Sequence, residues 1–184
     1  MKHPLSFGIV LIAGAACARL IPHPPNVTPV IAMALVSGLY LDRRMGFIVP
    51  LAALLLSDVV LGFHGLMPYV YGSVILVALL GGVIQQKKNI GTIVGGSLCG
   101  SILFFLITNA GVWLHGGGRV YPMTMDGLML SYTMALPFFR NSLLGDLLFV
   151  ALLAGLFEFS GRFAVYGREF RRRFNVQRDT NQVR

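Results

Sequence analysis

Charge is scarce in this sequence, and acid is scarcer than base. Only 7 Asp and Glu stand against 15 Lys and Arg among 184 residues, a formal charge of +8. The two cysteines, Cys17 and Cys99, lie far apart in apolar stretches, so neither a CxxC pair nor a disulfide framework is available. HExxH, GxSxG, a phosphate-binding glycine loop and paired acidic spacings are all missing. These gaps argue against an intramembrane enzyme, and no catalytic residue, metal site or cofactor is expected. With no nucleotide site, the energy for any active transport has to come from elsewhere.

What the sequence has in plenty is apolar length. Hydrophobic residues make up 55% of the chain and mean hydropathy is +0.74, more apolar surface than a soluble domain of this size can bury. The 22 glycines suit close helix packing, because lipid supplies no hydrophobic drive between helices. The sequence predicts an all-α integral membrane protein.

Six spans are expected, over residues 4–21, 28–41, 46–62, 69–84, 91–114 and 141–163. The second is short for the ~20 residues a crossing usually needs. Residues 1–21 look at first like a signal peptide, but Arg19 and Pro22 replace a small-residue cleavage site, so the segment reads as a retained helix. With the N terminus inside, only Arg19, Arg119 and Arg140 of the 15 basic residues fall on the outer side. The positive-inside rule then gives N-in, C-in. Residues 1–166 form one transmembrane domain, and 167–184 a basic cytoplasmic tail fading into disorder. The positive charge sits at helix ends and in that tail, which points to the lipid bilayer as partner and away from nucleic acid.

In the outer loop between the fifth and sixth spans, residues 123–138 are apolar but interrupted by Asp126 and Pro137. They read as an interfacial or re-entrant helix roofing the bundle. Gly116, Gly117 and Gly118 precede it, either as a hinge for a gating flap or as a simple turn.

The third span carries Asp58, an aspartate within an apolar run, where an ionised carboxylate costs roughly 3 kcal/mol unless it is paired or wet. Around it the polar groups collect at one end of the bundle. Arg19 closes the first span and Asn26 precedes the second. Asp58 and His64 end the third, and Tyr69 and Tyr71 open the fourth. Asn109 and Trp113 close the fifth, while Arg140, Asn141 and Asp146 open the sixth. Together with Tyr132 these are the candidate ligand-binding residues. Aromatic walls are sought among Phe63, Tyr69, Tyr71, Trp113, Tyr121 and Tyr132, although Tyr and Trp also form interfacial belts. Arg19 could pair with Asp58 or with Asp146.

Several features resemble the substrate-binding S components of energy-coupling-factor vitamin transporters. They are Arg19-Leu20-Ile21-Pro22, the proline-rich loop over 23–29, and Gly46…Pro50-Leu51…Ser57-Asp58…Leu61-Gly62. More narrowly, the chain is similar to an uncharacterised bacterial family of six-helix transport proteins with Pro-Pro-Asn-x-Thr-Pro (24–29) and Pro-Phe-Phe-Arg-Asn-x-x-x-Gly-Asp (137–146). The resemblance implies capture of a vitamin-like small molecule from outside the bacterial cytoplasmic (inner) membrane. It also implies an energising transmembrane subunit with ATPases as partner. The S components' Ala-x-x-x-Ala docking pattern has only Ala13/Cys17 and Gly14/Ala18 as counterparts. A cobalamin-like corrinoid is one ligand class considered, with His23 or His64 as cobalt ligand. A non-catalytic membrane scaffold or assembly subunit is the alternative reading.

Overall fold

In the computed structural model the described residues form helices and no strand. Those residues are Val10, Gly14, 17–21 and 26–182, with side chains described through Ser160. Most of the leading span, His23 and the prolines at 22, 24 and 25 lie outside them, as do the side chains of the basic tail.

Among the described residues, the centre of the bundle is its shortest α-helix. Helix α1, Val30–Tyr40, buries every residue from Val30 to Leu39. An apolar sequence without a polar face is stable where other helices surround it, and α1 packs against all four of the others. At 11 residues it is about 16 Å long, about half a hydrocarbon core.

Around α1 stand four helices long and apolar enough to cross a membrane, the pattern of a multi-pass membrane protein. Helix α2, Arg43–Leu61, starts at Asp42, whose carboxylate accepts from the backbone N–H of Arg44 and of Met45. Its inner face reads Gly46, Val49, Pro50, Ala53, Leu54, Ser57, Asp58, a stripe at helical spacing. Leu55, Leu56, Val59 and Val60 on the other face are exposed, as lipid contact requires. Helix α3, Met67–Ile84, follows a short loop, and a turn of 3-10 helix, Gln85–Lys87, ends it. Gln85 there donates to the carbonyls of Leu39 and Leu41, closing the end of α1. Helix α4, Ile90–Gly116, begins with a capping box between Asn89 and Thr92. Helix α5, Met125–Gln182, completes the set.

Glycine sets the closest approach of α1, α2 and α3. A Cβ on Gly38 would lie against the backbone of Ala78 and 3.0 Å from the amide nitrogen of Gly82. One on Gly46 would lie 3.4 Å from the Cα of Gly38. Backbones meet here without side chains between them.

One expectation needs correction. Residues 123–138 do not form a separate roof; from Met125 they are the opening turns of α5, with Pro137 inside the helix. Their partner is α4: Tyr132 donates to the Leu106 carbonyl, and Trp113 Nε1 donates to the Pro122 carbonyl. A neighbouring helix makes an interior proline tolerable in apolar surroundings. Arg140 and Asn141 are therefore interior positions of a long helix rather than its first residues. The glycines make a turn: Gly117 (φ 54°) and Gly118 (φ 84°) adopt the left-handed region. At the far end α5 continues to Gln182, where coil is expected from the sequence.

Two ends of the bundle follow. The basic end carries Arg43, Arg44, Lys87 and Lys88, with Glu158 bonded to Lys88 and to Tyr40. The opposite, loop end carries residues 62–66 and 117–124.

Candidate functional site

Toward the loop end, the first polar group is a closed network. Arg19 Nη1 lies 2.8 Å from Asp58 Oδ1 and donates also to Ser57 Oγ. Tyr71 donates its hydroxyl to Asp58 Oδ2 at 2.9 Å. Both oxygens of a carboxylate that is 2% exposed are thus satisfied from within the chain. Ser57 in turn bonds to the carbonyls of Ala53 and Leu54. Of the two pairings open to Arg19, this is the one formed.

The second group lines a cleft of about 260 Å³ between α4 and α5. Phe104 and Phe105 face it from α4, and Phe138 and Phe139 from α5. The Phe105 and Phe139 rings pack with centroids 4.6 Å apart. Thr108, Asn109 and Ser142 supply polar atoms, and Asn26 stands at the margin. Asn26 holds a left-handed backbone (φ 63°), which asparagine tolerates better than most residues, and Val27 beside it packs on Gly145. Asn109 donates to the Phe105 carbonyl, which leaves its amide oxygen available to the cleft.

Ser101, also part of the lining, leads to a third feature. Its Oγ is 2.7 Å from Asp146 Oδ2 and 3.0 Å from the Ser97 carbonyl. Asp146 is 3% exposed, and among the described residues no cation pairs with it. The Ser97 hydroxyl, one turn of α4 from Ser101, is fully buried and has no partner among the described residues.

The other sequence candidates separate from these groups. The Tyr69 ring fills the space over Gly111, Tyr132 packs on Phe105, and Trp113 is held by Pro122. His64 and Arg140 are exposed, and Asn141 is half-buried outside the cleft lining. Phe63, expected as a wall, is 68% exposed. A second cleft of about 300 Å³ opens at the basic end beside Gly38, Gly46 and Gly82. Two of its polar groups are engaged, Asp42 in capping α2 and Gln85 in holding the end of α1, and Arg43 also lines it.

A family match covers residues 2–167, nearly the whole of this architecture. The chain belongs to the family of unknown function DUF6580. No curated protein and no solved structure matches it. Membership in DUF6580 thus brings no activity with it, and the site has to be read from its residues.

Sequence reasoning missed the four phenylalanines, Thr108 and Ser142. Helix periodicity could have found them. Ser101, Phe104, Phe105, Thr108 and Asn109 share one face of α4 at spacings of three and four. Ala135, Phe138, Phe139, Ser142 and Asp146 do the same on α5.

Proposed function

We propose that this chain is a six-span, N-in/C-in transport protein of the bacterial cytoplasmic membrane. It captures a small, partly apolar micronutrient from the outer side in the cleft between α4 and α5. The observation that carries this reading is the cleft's composition: four phenylalanine rings with Asn26, Thr108, Asn109 and Ser142 among them. Ligand sites typically combine apolar walls with a few placed polar groups in about 300–1,000 Å³. At about 260 Å³, this cleft suits a molecule of one ring system and not a corrinoid.

The positive-inside bias supports placing the basic end in the cytoplasm. About 30 Å of hydrocarbon measured from Glu158 along α5 ends near Phe138, which sets the cleft at the outer boundary. The preceding turns of α5 and the last turns of α4 then project beyond it, with Tyr132 and Trp113 at headgroup level and above. In the Arg19–Asp58–Tyr71 network both carboxylate oxygens are taken up from within the chain, and it acts as a strut.

Asn109→Cys, in a background with Cys17 and Cys99 replaced by serine, tests the reading. An impermeant thiol reagent should label it from outside intact cells. Labelling only after the cells are opened would contradict an outward cleft.

A further inference from the structure

Asp146 is a carboxylate inside a membrane-crossing helix, buried, and without a cation among the described residues. Among the described residues, the elements packed against it offer no charge close by. Helix α1 has one titratable side chain, Tyr40, bonded to Glu158 at the basic end. Helix α4 has His115, exposed at its far end, and Cys99, also exposed. On α5 itself, Arg140 is exposed, and Glu158 is about 18 Å away along the axis. An ionised carboxylate in such surroundings is unfavourable.

The hydrogen-bond geometry says what replaces the missing cation. Ser101 Oγ lies within bonding distance of both Asp146 Oδ2 and the Ser97 carbonyl, and a hydroxyl has one proton to donate. With Asp146 ionised, Ser101 serves the carboxylate and cannot also serve the carbonyl. With Asp146 protonated, its O–H donates to Ser101 Oγ, and the Ser101 O–H donates to the Ser97 carbonyl. Two protons then fill two bonds. Ser101 is also part of the cleft lining, so the chain of bonds ends where water and ligand enter.

We propose that Asp146 is a proton-binding site whose proton exchanges through Ser101 with the α4–α5 cleft. Rested on the capture reading above, this makes the proton gradient the energy source for uptake: a proton taken from the outer side rides on Asp146 while the cleft is occupied. No bond other than O–H forms or breaks. The Asp146 carboxylate accepts the proton, and on the inner side it gives the proton back to water.

Infrared spectroscopy of the full chain in lipid nanodiscs tests the site without any ligand. At neutral pH the wild type should show the carbonyl band of a protonated carboxylic acid, shifted by carbon-13 labelling of aspartate and absent from Asp146→Asn. In Ser101→Ala, which keeps the carboxyl, the band should move to higher frequency as one hydrogen bond is lost. In Ala135→Phe, which fills the cleft from α5, its shift in heavy water should develop several-fold more slowly. Absence of an aspartate-derived band from the wild type would overturn the proposal even if Asp146→Asn failed to fold. So would a band that disappears when sodium replaces choline, which would make the site a sodium site. Retention of a ligand by the cleft would survive either failure, and an empty cleft would leave the band in place.

Discussion

Arg19 and Asp58, 39 residues apart in sequence, meet at 2.8 Å and tie the leading span to α2. The arginine side chain is 16% exposed and the aspartate 3%, so the pair is sheltered without being sealed. Asp58 also accepts from Tyr71 on α3, which makes one carboxylate the junction of three segments.

Removing one side of that junction should cost more than removing both. Breaking a buried pair leaves an unmatched charge and costs about 3–5 kcal/mol, with the residual exposure of Arg19 drawing Asp58→Leu toward the lower figure. Asp58→Asn should be milder, because the amide oxygen still accepts from Tyr71. The double variant Arg19→Leu/Asp58→Leu should recover much of the loss. Thermal unfolding in detergent measures all three, and a double variant no more stable than Asp58→Leu would count against the pairing.

Tyr71→Phe deletes one hydrogen bond to the carboxylate and nothing else of its shape. A bond to a charged group contributes about 1.5–3 kcal/mol. The variant should lose stability by that amount, unfold at a lower temperature, and leave the ligand cleft unaffected. An unchanged melting point would show that the Tyr71 hydroxyl is served equally well by water.

Gly38→Ala places a methyl group against the Ala78 carbonyl and close to the Gly82 amide. Backbone atoms cannot rotate away, so α1 and α3 must separate, at about 1–3 kcal/mol for overpacking. Gly72→Ala, whose Cβ would meet nothing within 4 Å, is the control and should be neutral. Equal stability of the two variants would contradict the close crossing.

Much of this arrangement is legible in the sequence. Asp58 stands out because a charge interrupts an apolar run, and Arg19 is one of few cations able to answer it. The spans that became α2, α3 and α4 follow from length and hydropathy, each within three residues at either end. Two things were hidden. The short apolar stretch at 28–41 reads as a marginal crossing, since length alone does not say that a helix apolar on every side belongs in the middle. Pro137 reads as a break between a roof and a span. In water an interior proline usually is one, whereas here α4 supports the helix on both sides of it. Splitting α5 at that point removed Phe138 and Phe139 from the face opposite Phe104 and Phe105, and the cleft went with them. The walls expected from the sequence are the aromatics near the span ends, Phe63 and five Tyr and Trp residues, whereas the structure builds them by register from Phe104, Phe105, Phe138 and Phe139.

Orientation can be read by labelling. A cysteine at Gly117, in the turn after α4, should react with an impermeant thiol reagent in intact cells, and a cysteine at Asn89, before α4, should not. The reverse pattern would put the cleft on the cytoplasmic side.

Native mass spectrometry of the protein purified from its own membranes tests capture most directly. The wild type should carry a small molecule of on the order of 15 non-hydrogen atoms, as the cleft volume of about 260 Å³ allows. Ala135→Phe, folded as judged by its melting point, should carry none. A wild type that is always empty, or a bound mass that persists unchanged in Ala135→Phe, would contradict the assignment of the α4–α5 cleft as a capture site.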